Sequence, residues 1–339
     1  MRIATYNVEW FSNLFDDQGA LIEDESWSGR HDVTKAMQIH ALGTVFQALD
    51  ADAIMIIEAP DTSRGRDGTT ALESFVERFA LRTSKVLIGF SNHTQQEIML
   101  LYDPDVISAI HDPIGDPQDA QAPRFDSTFR IDLDIDAKAD RVTFSKPPLE
   151  VAVQTKDGHM LRLIGVHAKS KAPHSARDAE DMMRIAIANR RKQLAQCIWL
   201  RHRIDQHLAA QDSLIVLGDF NDGPGLDAYE ELFGRSSVEI VMGADRITSE
   251  QLFDPHAHSA LGQKLGTPFS SARFYLSPEK RFINALLDYI MVSPDLAARS
   301  PDWRIWHPFD DPGCWRDPVL REALLTASDH FPVTMDIAL

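Results

Sequence analysis

The sequence predicts an α/β (α+β) protein, with strands and helices interleaved along the chain. Three observations carry this. Short apolar runs end abruptly in polar residues, other segments alternate apolar and polar positions, and amphipathic stretches of ten or more residues lie between them.

The elements follow in order. "RIATYNVEW" opens the chain as a strand running towards Asn7 and Glu9. Thr34–Leu49 places Met37, Leu42, Val45, Phe46 and Leu49 near helical spacing. Ala53–Ile57 is an apolar run too short for a helix and is followed by Glu58. Thr70–Ala80 predicts a second helix. In "RIDLDIDA", Ile131, Leu133 and Ile135 alternate with Asp132, Asp134 and Asp136, and in "LEVAVQT" Leu149, Val151 and Val153 alternate likewise. Both read as strands with one wet face. Lys156–Gly158 supplies a hairpin turn. "HMLRLIGVHAKS" is apolar up to His167, and "SLIVLGDFND" up to Asp219. Ala176–Leu208 predicts the longest helix, striped by Met183, Ile187, Leu194 and Ile198. Its Arg184, Arg190, Arg191 and Lys192 fall elsewhere and read as a solvated face. Asp16–Asp32, Ala59–Thr70 and His111–Ser127 are long polar loops, and Gly243–Lys280 lacks clear periodicity.

Bulk properties narrow the function. The chain has 339 residues, 44% hydrophobic and 25% charged, enough for a sizeable core; length alone suggests about two domains. Its 34 basic and 51 acidic residues give a net charge of −17. That excess opposes sequence-blind binding of long duplex DNA, though it permits a locally basic cleft. No apolar run approaches the roughly 20 residues needed to span a bilayer. The N-terminus lacks an apolar export region, so a soluble, cytoplasmic protein is expected. Cys197 and Cys314 are too few for a disulfide framework or a zinc ribbon, and Cys197 reads as a buried structural thiol.

The chemistry-bearing residues stand at the ends of the apolar runs: Asn7, Glu9, Glu58, His167, Asp219, Asn221, Asp288, Asp329 and His330. Hard oxygen ligands suit magnesium or manganese, and imidazoles suit phosphate contacts and proton transfer. "DFNDGPG" also invites a calcium-loop reading, with Asn221 at position three and Glu230 at position twelve. Pro224 then falls where that loop needs glycine, and a strand precedes it, so the reading fails. Asp222 becomes a turn residue. No serine-hydrolase elbow or P-loop is present.

"TYNVEW", "IIEAPD", "FSKPPLEV", "GVHAKSK", "LGDFNDGPG", "LLDYIMV" and "SDHFPV" follow one another in an order that resembles the endonuclease/exonuclease/phosphatase superfamily, from Asn7 to Pro332. These are metal-dependent, deoxyribonuclease I-like phosphoesterases. The resemblance implies a four-layer α/β/β/α sandwich of two packed mixed sheets flanked by helices. It also implies one domain over residues 1–339, because the site draws on both ends of the chain. Glu58 resembles the principal metal ligand, with Asn7, Glu9 and Asp329 at or beside the metal, magnesium or manganese. Asp219 and Asn221 match the pair on the attacking water and phosphate. His330 matches the histidine on the scissile phosphate, and Asp288 the carboxylate behind it. His167 matches a second phosphate-binding histidine or general acid. Lys146 stands where many members carry arginine, keeping the charge but losing bidentate contact. Lys169 could reach the same rim.

Either Asp219 or a neutral His330 could be the base. "DGPG" after Asn221 and "ALLDYIMV" around Asp288 depart from the inositol 5-phosphatase pattern, and His167 departs from the tyrosine of apurinic endonucleases. No clear membrane-binding apolar hairpin is seen. The expected activity is a magnesium- or manganese-dependent phosphodiesterase, with nucleic acid as a candidate substrate. A phosphomonoesterase or sphingomyelinase-like lipid phosphodiesterase, and a non-catalytic interaction module, are the alternatives.

Overall fold

Two sheets lie face to face with helices on both outer sides. The computed structural model describes residues 1–92, 94, 96–132, 139–173, 177–223, 234–262, 269–276 and 280–339. In chain order the strands are β1 (Arg2–Asn7), β2 (Ala53–Ala59), β3 (Lys85–Ile88), β4 (Glu97–Tyr102), β5 (Ile107–His111), β6 (Phe129–Ile131), β7 (Asp140–Val142), β8 (Leu149–Thr155), β9 (Met160–His167), β10 (Leu214–Asp219), β11 (Ala272–Leu276), β12 (Arg281–Ala285), β13 (Asp288–Val292), β14 (Asp302–Ile305) and β15 (Val333–Asp336). The helices are α1 (Lys35–Leu49), α2 (Gly68–Phe79), α3 (Ala179–Ala209), α4 (Ser237–Met242), α5 (Pro255–Leu261), α6 (Pro294–Ala297), α7 (Pro312–Arg316) and α8 (Pro318–Ala327).

One sheet runs β14-β15-β1-β2-β4-β3 and the other β13-β10-β9-β8-β5. Each is mixed. β1 pairs with β2 and β9 with β10 in parallel, while the remaining pairs in these two sheets are antiparallel. Alternation along the strands decides the layers. Met55 and Ile57 of β2 point inward with Ile3 and Leu100, against Leu163, Ile215, Leu217 and Ile290 of the other sheet. Ile54 and Ile56 point outward to Leu42, Phe46, Phe75 and Leu324 of α1, α2 and α8. Val166, Val216 and Tyr289 pack outward against Trp199, Leu200 and Ile204 of α3. This is the expected four-layer sandwich. Strands buried on both faces explain why their sequences read as continuous apolar runs.

Several expectations shift. The first two helices fall within two residues of the predicted bounds, with Thr34 and Asp67 as N-caps. Strand β8 has no wet face at Glu150, which is 2% exposed, because Arg203 of α3 lies 3.5 Å from its carboxylate. The basic run on the long helix is not simply solvated. Arg190 is 1% exposed, and its Nη1 lies 3.2 Å from Asp222. The stretch Gly243–Lys280, aperiodic in sequence, contains α5 and β11. "RIDLDIDA" forms strand only at its start, in β6; Leu133–Asp136 lie outside the described residues, as do Pro224 and Glu230. No described helix is long and apolar enough to cross a membrane.

Candidate functional site

The strand ends at one rim bring the site together. Asp219, last residue of β10, pairs with His167 of β9 on one side and with Asp288 of β13 on the other. Gly218 permits this crowding. Its φ is +138°, and a Cβ there would meet the Val166 carbonyl oxygen at 2.0 Å. From the other sheet, β1 delivers Asn7, whose Nδ2 donates to Asp219 Oδ2 at 3.0 Å. This bond joins the two sheets at the rim.

Asn221 adopts φ +50° and folds back on the same carboxylate. Its backbone N–H donates to Asp219 Oδ1 at 2.7 Å, and its Nδ2 donates to Oδ2 at 3.0 Å and to the Ala168 carbonyl at 3.1 Å. Glu58 sits at a bulge in β2 with φ +62°. Such left-handed backbone at a non-glycine residue clusters at functional sites. Gln96 donates to Glu58 Oε2, and His167 Nε2 lies 3.8 Å from Oε1 and 3.6 Å from Asp219 Oδ2.

His330 Nδ1 lies 2.8 Å from Asp288 Oδ2. Ser271 donates its hydroxyl to the same oxygen at 2.7 Å and accepts the backbone N–H groups of Leu287 and Asp288. Ser328 ties this corner to β1: its hydroxyl donates to the Asn7 carbonyl and accepts the backbone N–H groups of Glu9 and His330.

Burial and mutual charge set the protonation states. Burial pushes Glu58 up to about 7, against the pull of Lys146 and His330. Burial likewise pushes Asp219 up to about 7, His330 opposing and Asp288 assisting. His330 moves well above its ordinary value: burial alone would lower it, but Asp288, Asp219 and Asp329 outweigh that cost. His167 falls well below its ordinary value through burial and the cations Lys146, His330 and Lys169. The rim thus pairs a charged imidazole with a neutral one.

The sequence-predicted residues come together unevenly. Asn7, Glu58, His167, Asp219, Asn221, Asp288 and His330 form the connected group above. Lys146 is half-buried; burial lowers its pKa, while Glu58 and Asp219 raise it. Lys169 is half-buried, with its backbone N–H on Gln196. Asp329 leaves a buried, unpartnered Oδ1, as does Asn7. Glu9 is engaged elsewhere: Oε1 accepts from Trp10 Nε1 at 2.9 Å, and Oε2 pairs with Arg30. The tightest group of metal-capable atoms among the described residues is Asp219, Asp288 and His330, within 4.8 Å of one another. His330 Nδ1 already engages Asp288 there, and a protonated imidazole has no lone pair for a cation. The oxygens of Glu58, Asn7 and Asp329 fit a hard divalent ion better.

Sequence reasoning missed Gln96, Ser271, Ser328 and Gln193. Gln193 donates to the carbonyls of Phe220 and Asn221 at 3.1 and 3.0 Å. Ser328 could have been found, standing beside Asp329 in "SDH"; the glutamines leave no local signal. Asp222, expected as a turn residue, is fully buried against Lys171 and Arg190 and accepts the Ser237 N–H at 2.8 Å. His256 and His258 lie on α5, the former half-buried and the latter exposed.

Comparison with known proteins adds the following. A family model described as "Endonuclease/Exonuclease/phosphatase family" matches residues 4–330. Among solved structures, the chain is similar to truncated Caenorhabditis elegans TDP2, at 12% identity, 99% coverage of this chain, 97% of that one and a TM-score of 0.53. It is also similar to the 3′ phosphatase NExo from Neisseria bound to product DNA hairpin, at 15% identity, full coverage of both chains and a TM-score of 0.50. These likenesses concern the fold. The search of curated proteins finds no match.

Proposed function

The chain belongs to the Endonuclease/Exonuclease/phosphatase family, and on that premise we propose that it is a divalent-metal-dependent phosphodiesterase, with nucleic acid as its substrate class. The observation that carries the reading is the His330–Asp288 pair at 2.8 Å, set beside Asp219 and His167 on adjacent strand ends. The reading takes residues 1–339 as one domain, since β1 and the segment before β15 both supply site residues.

Glu58, with the unpartnered oxygens of Asn7 and Asp329, would hold magnesium or manganese. Glu9, tied to Arg30 and Trp10, is the weaker candidate. When bound, the ion supplies Lewis acidity and neutralises phosphoryl charge. The remaining chemistry lies with the side chains. Asp219, fixed by Asn7 and Asn221 and pushed up to about 7, is matched to taking a proton from the attacking water. His330, held cationic by Asp288, stabilises charge on a phosphoryl oxygen. A protonated His330 cannot be the base, which favours Asp219. His167 stays neutral and offers a hydrogen bond to phosphate or leaving group. Lys146 and Lys169 add positive charge at the rim of an acidic protein.

The test is a panel of DNA, RNA, a cyclic dinucleotide, sphingomyelin, small phosphodiesters and phosphomonoesters, each assayed with magnesium, manganese and chelator. Metal-dependent cleavage of diesters supports the reading. Phosphate release from monoesters alone would replace it with a phosphomonoesterase, and no metal-dependent turnover on any substrate would end it.

A further inference from the structure

The hairpin of β11 and β12 stands against the site. Ala272 pairs with His330, Arg273 donates its N–H to the Asp329 carbonyl at 2.7 Å, and the Phe274 ring meets the His330 imidazole edge-on at 5.5 Å. Strand alternation puts Arg273 and Tyr275 on the other face, with Phe282 of β12 opposite Tyr275.

That face carries a continuous row of rings. Tyr275 and Phe282 lie 5.2 Å apart between centroids. The Arg273 guanidinium sits 4.4 Å from the Phe282 ring and 5.3 Å from the Phe309 ring. Phe309 continues to Trp315 at 6.2 Å. All four rings are between 40% and 54% exposed: Phe309 at 40%, Tyr275 at 46%, Trp315 at 52% and Phe282 at 54%. Contiguous exposed aromatic surface of this kind marks an interaction site. Arg273 makes no ion pair within 4.0 Å among the described residues, in a protein of net charge −17. A guanidinium held between rings and without an ion-pair partner among the described residues can take an anion.

We propose that this row docks a single-stranded nucleic-acid segment flanking the scissile phosphate, with bases stacking on Tyr275, Phe282, Phe309 and Trp315 and a backbone phosphate on Arg273. This deepens the phosphodiesterase reading and rests on it for the position of the scissile bond. Rings flanking one guanidinium match bases flanking a backbone phosphate. A duplex hides its base faces and cannot stack on the row. A zwitterionic bilayer would use the rings but offers no net negative charge to Arg273.

The experiment uses the full chain in chelator, so that nothing is cleaved, with a fluorescein-labelled oligothymidylate, a duplex of equal length and phosphatidylcholine vesicles as probes. The wild type is expected to bind the single strand more tightly than the duplex, with affinity falling as salt rises. Phe282→Ala and Arg273→Gln should each weaken single-strand binding about tenfold, the loss expected for one stacked base or one phosphate contact. Phe282 is exposed, so an unchanged melting temperature separates this from misfolding. With manganese present, the ratio of kcat/KM for the oligonucleotide to that for bis(p-nitrophenyl) phosphate should fall by a similar factor in both variants. Unchanged single-strand affinity in both variants overturns the proposal, as does preferential binding to vesicles. Absence of bis(p-nitrophenyl) phosphate turnover by the wild type would instead strike the phosphodiesterase reading, leaving the binding result to stand or fall alone.

Discussion

His330 Nδ1 lies 2.8 Å from Asp288 Oδ2, although the residues stand 42 positions apart and both are buried. Ser271 donates to the same oxygen and fixes the carboxylate's orientation. The imidazole is thereby held in one orientation and its charge retained.

His330→Ala should lower kcat by roughly a thousandfold with little change in KM, the scale for removing a preorganised group that contacts transition-state charge. Asp288→Asn should cost about a hundredfold through the same step. The double variant should be no worse than His330→Ala, because the two act as one unit. Steady-state kinetics on a small diester would show this, and fully additive losses would argue that the pair works separately.

Glu58 and Asp219 are both pushed up to about 7 by burial. A cation on Glu58 must displace its proton, so divalent-metal affinity should fall as pH drops below about 7, with proton release visible by calorimetry in buffers of different ionisation enthalpy.

The same shift makes a stability prediction of definite sign. A carboxyl whose folded pKa is raised favours the folded state at low pH, and that advantage is lost as pH rises through about 7. In chelator at pH 8, Glu58→Gln should therefore melt higher than wild type, and the gap should narrow as pH falls from about 7 and close below about pH 4. A lower melting temperature for the variant at pH 8 would contradict the assignment of Glu58 as a carboxylate whose burial outweighs its cationic neighbours.

Asp222 is fully buried between Lys171 and Arg190, tying the loop after β10 to the loop after β9 and to α3. Asp222→Ala leaves a buried guanidinium without this partner and should cost roughly 3–5 kcal/mol in urea unfolding. Asp222→Asn should lie between the variant and wild type.

Arg304 holds Asp311 down to about 2 against the opposing effect of burial, with the Cys314 N–H contributing. The depressed carboxyl stabilises the fold above pH ~4, and this is lost as pH falls through about 2. Allowing for solvent screening, Asp311→Asn should cost roughly 1–2 kcal/mol at pH 7 and much less at pH 2. Equal destabilisation at both values would assign the loss to the helix cap alone.

Much of this protein is legible in sequence because the signals are local. An apolar run such as Leu214–Leu217 ending at Asp219 announces a buried strand and its functional tip, and the ordered motifs from Asn7 to Pro332 announce the family and its layers. Side-chain charge alone could not tell Arg190, buried on Asp222, from a solvated arginine on the same helix; that depends on which face packs on the second sheet. Nor could it show that Glu9 is drawn to Arg30, or that Gln96 and Gln193, with no motif around them, hold Glu58 and the Asn221 loop. The row from Tyr275 to Trp315 joins residues of the β11–β12 hairpin, of the segment before α7 and of α7 itself through ring and guanidinium contacts. The chain order therefore determines the strand tips and their chemistry. Packing of the two sheets determines which tips meet, which charges lose water and hence which imidazole carries the proton.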